Sequence, residues 1–380
     1  MSRTVTLFLL IAGCFNQVRS SDDGTGGATS PGGGGNAMSG GGGAGASAAG
    51  RPTGASSLDA IPYRDDLTKH PGCSTEGLTY PPGQIDGYHC AVKAYAFSAG
   101  QQEDNTRPIV LLVHGNSDAP ASFERFPADS GADMLAEQLV SHGLRTYAVD
   151  LRIDRNDDPQ GNNDTENAAR NIDHGWAVPI VMHLVEASLK AFPARRLSLV
   201  GFSLGSTVIR DALRRLHFRG GLPWERLEDV VLLAGAHHGV STYARLCGRN
   251  PTMRGQVACQ LGARDGFSAT EFMKALNGAS SADEAPCADG KMAYGQEGHC
   301  GGRAVSYTTI VMKDIMDGSY QDEFVSEASS HLEGADNRKV DLTDFDSSGY
   351  FFNGLLKNHY GACRSAAALR ILLERLMDGR

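Results

Sequence analysis

The sequence predicts an α/β protein: a mostly parallel sheet covered by helices on both faces. Three observations predict it. From about residue 107 onward, short apolar runs alternate with longer segments whose apolar residues recur at helical spacing. The runs PIVLLVHG, RRLSLV and DVVLLAG are continuously apolar, as strands buried on both faces are. The string VGFSLG, residues 200–205, sets two glycines around a serine where one such run gives way to a helical pattern.

The chain has 380 residues and a formal charge of -9, with no run of Lys or Arg, so nucleic acid is not an expected partner. No apolar stretch reaches the roughly 18 residues of a membrane-spanning helix. The opening MSRTVTLFLLIAGC has one basic residue, Arg3, a short apolar run and small residues before Cys14, which suits a secretory signal over residues 1–20. IAGC also resembles the lipobox of bacterial lipoproteins. That resemblance implies cleavage before Cys14, a diacylglycerol on its sulfur and attachment of the exported protein to a membrane of the cell envelope. Ordinary signal cleavage further along, giving an extracellular protein, stays open. Residues 21–57 are rich in Gly, Ser and Ala and read as a disordered tether, reaching roughly 30 to 36 Å. Residues 58–380 form the folded domain.

The elements follow in order. Residues 58 to about 106 are turn-rich, with a strand in YHCAVKAYAF. PIVLLVHG is a buried strand, and GADMLAEQLVSHG is a helix that stops at Gly143. RTYAVDL is the next strand, followed by a polar loop over 152–165. Thr165 caps a helix beginning at ENAARN, which Pro179 kinks or divides. RRLSLV leads into the helix SLGSTVIRDALRRL. DVVLLAG and VSYTTIVM are the fourth and fifth strands of this series, and SAAALRILLERLMDG is the closing amphipathic helix. Between the last two strands lies a segment, 235–304, with four cysteines and many glycines, too long for a structureless loop. It reads as a disulfide-braced cap or lid insertion over the strand ends, with GFSATEFMKAL forming a lid helix or packing on the domain. After Cys14 the cysteines are 73, 90, 247, 259, 287, 300 and 363. Proximity suggests the pairs Cys73–Cys90, Cys247–Cys259 and Cys287–Cys300, and leaves Cys363 over.

In parallel sheets ligands bind beyond the carboxyl ends of the strands, where VGFSLG falls. Glycines two before and two after Ser203 remove side chains that would collide in a sharp strand-to-helix turn, so the hydroxyl stands above the sheet. The helix head offers the Leu204 N–H and the positive end of a dipole. A serine hydroxyl needs a base, and the base an orienting acid. Downstream lie DGSYQDEFVSEASSHLEGADNR and then GLLKNHYGACRS, before the last helix.

With these strings in hand, residues 107–378 resemble an α/β-hydrolase, and more closely the secreted bacterial lipases. LLVHG followed by Asn116 resembles their oxyanion strand, and HGNSDAPASF resembles the lipase-like polyhydroxyalkanoate depolymerases. The resemblance implies an α/β-hydrolase fold and a Ser203–Asp322–His359 triad, with Asp322 placed by the following LEGADN, and an oxyanion hole from the N–H groups of Asn116 and Leu204. Asp317 and then Asp314 are the alternative acids. His331 is read as a surface residue, His237 and His238 as structural, and His114 as a residue that orients backbone. The implied activity is a carboxylic ester hydrolase, lipase or esterase, acting on an ester or lipid substrate. It requires no metal or organic cofactor. Polyester depolymerisation, another acyl-transfer or peptidase reaction, and a catalytically silent surface lipoprotein remain open.

Overall fold

The computed structural model describes residues 92–115, 120–124, 135–149, 177–240, 261–262, 270–313, 318–322, 324–341 and 357–377. Expectations for Cys14, the 21–57 tether, Asn116, Asp314, Asp317, Cys73, Cys90, Cys247 and Cys259 lie outside the described residues.

Among the described residues the main sheet has seven strands. They are β1 (Val92–Ala94), β2 (Ile109–Val113), β3 (Thr146–Val149), β4 (Leu197–Phe202), β5 (Leu227–Leu233), β8 (Ser306–Met312) and β9 (Asp336–Val340), with a small hairpin, β6 (Met292–Ala293) and β7 (Gln296–Glu297), set apart. The order across the sheet is β1-β3-β2-β4-β5-β8-β9, and only β1 runs antiparallel to its neighbour. The chain moves from β2 outward to β3 and then returns to lay β4 on the other side of β2. The strand order therefore reverses between β2 and β4, the kind of switch point at whose carboxyl ends open α/β sheets bind ligands.

Burial explains why these strands read as continuous apolar runs. Ile109, Leu111 and Val113 face one core, with Val110 and Leu112 in the other. On the first face lie α2 (Ala177–Ala191) and α3 (Leu204–Arg219); on the second lie α1 (Leu135–Ser141), α6 (Lys357–Arg364) and α7 (Ala366–Met377). Each fully buried Leu or Val in these layers contributes about 1.5 to 3 kcal/mol by leaving water. Pro179 falls in the first turn of α2, where its missing N–H costs no helical hydrogen bond. α3 ends at Gly220, left-handed at φ 83, whose N–H returns to the carbonyl of His217.

Within the insertion, Thr270 caps α4 (Glu271–Asn277) by accepting the Met273 N–H. Its Phe272, Met273 and Leu276 are buried in the first core, so this helix packs on the domain. Cys287 is bonded to Cys300, as expected from proximity. The Val305 N–H donates to the Cys287 carbonyl just before β8 begins, and Tyr294 packs on His217 and Phe218 near the end of α3. The braced half of the segment thus sits toward the amino ends of the strands. Cys363 is a buried thiol.

A carboxyl at that pole gives the fold a pH signature. Asp229 on β5 is buried, and burial pushes it up to about 6 from an ordinary 3.8, against a hydrogen bond from Ser198 Oγ at 3.1 Å. The folded state then holds a proton that the unfolded chain has released, so stability falls as pH rises from about 4 to about 6 and stays level above. The expected loss is about 3 kcal/mol. His217, held down to about 4 by burial and then by His299, slopes the other way over that whole range. The measurement is therefore a comparison of urea melts for wild type and Asp229→Asn at pH 4 and pH 7. Asp229→Asn should gain stability relative to wild type at the higher pH; identical pH dependences would refute the buried, protonated carboxyl.

Candidate active site

β4 brings the chain to Gly201 and Phe202 and then turns it abruptly. Ser203 sits at φ 55 and ψ -123, a conformation that side chains other than glycine seldom adopt. The turn is held because the Ser203 N–H donates to the Leu233 carbonyl at 2.8 Å and the Ser206 N–H to the Ser203 carbonyl at 3.0 Å. A side chain on Gly201 would stand 2.6 Å from Ser206 Cα, and one on Gly205 2.1 Å from the Val113 carbonyl oxygen. Both glycines are there for close backbone approach.

Ser203 is the N-cap of α3, yet its hydroxyl makes no capping bond. Serine at that position ordinarily accepts an N–H of the first turn. Here Oγ lies 2.7 Å from His359 Nε2. The first-turn N–H groups, Leu204 foremost, are left for another acceptor at the positive end of the helix.

His359 lies in the first turn of α6, a short helix just before the closing one. Its Nδ1 is 2.7 Å from Asp322 Oδ2. With Nδ1–H donating to that carboxylate, Nε2 is the acceptor for the serine hydroxyl. The imidazole is packed between Phe202 and Phe324, each ring centroid 5.0 Å away. His359 and Asp322 are 4% and 7% exposed, so this relay is shielded from water.

The acid is fixed by its own turn. Asp322 Oδ1 accepts the backbone N–H groups of Phe324 and Val325, both at 2.7 Å, and the Asp322 N–H donates to the Val325 carbonyl. One carboxylate oxygen is committed to backbone, and the other is aimed at His359.

The structure therefore brings together Ser203, His359 and Asp322 and puts Leu204 at the head of α3. His114 turns its Nδ1 to the Gly115 carbonyl at 2.9 Å, as a residue that orients backbone would. His237 is fully buried, and burial, followed by the nearby Arg210, holds it well below the ordinary imidazole range. His238 meets Glu284 at 3.1 Å, and His331 is exposed near Glu333. Sequence reasoning did not single out Phe202 and Phe324. Their positions beside Ser203 and two residues past Asp322 were the available signal. A cavity of about 810 Å³ lies at the other pole, lined by Glu228, Asp229, Arg303, Asp336 and Arg375. Glu228 is paired with Arg196 and Arg303, and Asp336 with Arg375 and Arg338, while Asp229 accepts from Ser198. Among the described residues no three His, Cys, Asp or Glu side chains gather as metal ligands.

No family model and no curated protein matches the sequence. Among solved structures, the mature lipase BlEst2 of Bacillus licheniformis is similar at 18% identity and a TM-score of 0.45, over 75% of this chain and 97% of that one. The carboxylesterase CesB of Bacillus subtilis is similar at 14% identity and a TM-score of 0.37, over 76% and 93%. A 2-hydroxy-6-oxo-6-phenylhexa-2,4-dienoate hydrolase from a Rhodococcus species is similar at 13% identity and a TM-score of 0.39, over 76% and 99%. At such identities and scores, chemistry has to be read from this chain's own side chains.

Proposed function

From an α/β-hydrolase fold with a serine–imidazole–carboxylate relay at its switch point, we propose that the chain is a serine carboxylester hydrolase of the lipase or esterase kind. The single observation that carries this reading is the continuous line from Ser203 Oγ through both nitrogens of His359 to Asp322, at 2.7 Å for each link. His359 Nε2 takes the hydroxyl proton as Oγ attacks the ester carbonyl. Asp322 keeps the imidazole in the tautomer that can accept that proton and stabilises the imidazolium. The tetrahedral oxyanion is met by the N–H of Leu204, with the N–H of Asn116 as the second donor that the resemblance to lipases implies, and one such donor contributes about 3 kcal/mol in the transition state. His359 then protonates the leaving alcohol, and a water molecule repeats the sequence on the acyl-enzyme.

The test uses a fluorophosphonate, which forms a phosphorus–oxygen bond with an activated serine and expels fluoride. Mass spectrometry of the intact protein should find one adduct, mapped to Ser203 and absent from Ser203→Ala. Folded protein that takes no label would end the proposal.

The same reading extends to placement: a protein exported and anchored through a lipid on Cys14, acting on esters at or beyond the cell envelope. Several acyl chains on one residue would hold it stably on a membrane. Mass spectrometry of the mature amino terminus should find acylated Cys14. An unmodified residue further along the chain would sink the anchor and leave the catalytic proposal intact.

A further inference from the structure

Three segments meet on one carboxylate outside the relay. Glu284 belongs to the insertion. Its Oε1 lies 3.1 Å from His238 Nε2, in the turn after β5, and its Oε2 accepts the Glu333 N–H at 2.9 Å. Glu333 follows α5 (Glu327–Ser330), the short helix at the end of the loop that carries Asp322. The same two segments are tied directly: the His238 N–H donates to the Ser329 carbonyl at 3.1 Å, and Ser329 Oγ donates to the Gly239 carbonyl. From the side of α3, Arg210 donates to the Glu284 carbonyl at 3.1 Å, and Asn277 donates from α4 to the His237 carbonyl at 3.0 Å.

α5 is in turn continuous with the acid's turn. The Glu327 N–H donates to the Tyr320 carbonyl, and Gln321 bridges to Ser326 across the hairpin over 320–327, so hydrogen bonds tie the start of α5 to the residues just before Asp322. Asp322 sits at the tip of that hairpin, with no further covalent route to its position except through β8. The charges that face Glu284 are His238 and Arg210. The hydrogen bond from His238 holds the Glu284 carboxyl below the ordinary range in spite of its burial, the largest opposing influence. It is an anion with two committed donors.

Resting on the hydrolase reading, we infer that Glu284 and His238 form a clasp by which the insertion positions Asp322. Glu284 is a positioning residue: it touches neither substrate nor His359, and acts by fixing α5 and, through it, the angle at which Asp322 meets His359 Nδ1. A displaced carboxylate loses its aim at His359 Nδ1, and misplacements of about 1 Å can cost up to a hundredfold in rate. Since ester binding does not pass through Asp322, the cost falls on kcat and spares KM.

The experiment measures kcat and KM for a short p-nitrophenyl ester with Glu284→Ala, Glu284→Gln, His238→Ala and the double variant Glu284→Ala/His238→Ala. Folding is checked by circular dichroism at the assay temperature. Glu284→Ala and His238→Ala should each lower kcat by about tenfold with KM within about twofold of wild type. The double variant should lose no more than the worse single one, as members of one unit do. Glu284→Gln keeps an acceptor and should recover part of the loss. Wild-type kcat in folded His238→Ala, whose side chain is a third exposed and tolerant of change, would overturn the inference even if Glu284→Ala fails to fold. Losses confined to KM, or losses in the two single variants that add in the double one, would also overturn it. Ser203→Ala is assayed in parallel. If it retains activity the hydrolase reading falls; if it is inactive while the clasp variants keep full kcat, only the clasp falls.

Discussion

Ester turnover falls by about 10⁶ when Ser203 is replaced by alanine, and by a similar factor when His359 is. The double variant is no worse than either, because the proton relay is a single unit whose loss is complete once either member goes. Asp322→Asn retains more, losing about 10⁴, since the amide still offers an oxygen but no longer fixes the tautomer that Nε2 needs. What survives in all of them is substrate binding and the donors at the head of α3. The measurement is kcat and KM for a p-nitrophenyl ester across the set, and a chain-length series on the wild type beside triglyceride and polyhydroxybutyrate would sort lipid, polyester and small-ester substrates. A Ser203→Ala protein that hydrolyses the ester at more than a hundredth of the wild-type rate, with about that factor as the dividing line, assigns the chemistry to another nucleophile.

Gly205→Ala has the largest expected effect on folding. The added methyl would lie 2.1 Å from the Val113 carbonyl oxygen and 2.6 Å from that of His114. These are backbone atoms at the end of β2, a strand held by neighbours on both sides. Neither the strand nor the first turn of α3 can give way without breaking the elbow, and the cost should exceed about 4 kcal/mol. Urea or thermal melts should show the variant unfolded or severely weakened, with fluorophosphonate labelling lost. Gly220→Ala is the comparison. There the backbone is left-handed, as it is not at Gly205, but nothing lies within 4 Å, and only the strain of about 1 kcal/mol applies. Equal stability of the two variants would mean that α3 does not pack so closely on β2.

The sequence carried most of the fold because the central strands are buried on both faces and leave no other reading for runs such as IVLLV and DVVLL. β9 escaped because DNRKV is polar: it lies at the edge of the sheet, paired on one side only, and its charges suit an exposed rim. α6 escaped for a similar reason, since KNHYGACR has a glycine in its middle and few apolar residues. The serine was legible from its glycines alone. The acid and base needed the family's ordering, because strings hundreds of atoms apart say nothing about meeting in space. What no string revealed was the support: the two N–H bonds that immobilise Asp322, the phenylalanine rings beside His359, and a glutamate from the insertion reaching the acid's loop.

The bond between Cys287 and Cys300 lies by the far end of α3, remote from the serine hydroxyl. Reducing it breaks no bond of the line from Ser203 through His359 to Asp322. A chain made in a reducing compartment would lose this brace and, with it, resistance to heat and proteolysis near the hairpin, while its nucleophile remained armed. The covalent brace and the serine hydroxyl thus stand by opposite ends of the same helix.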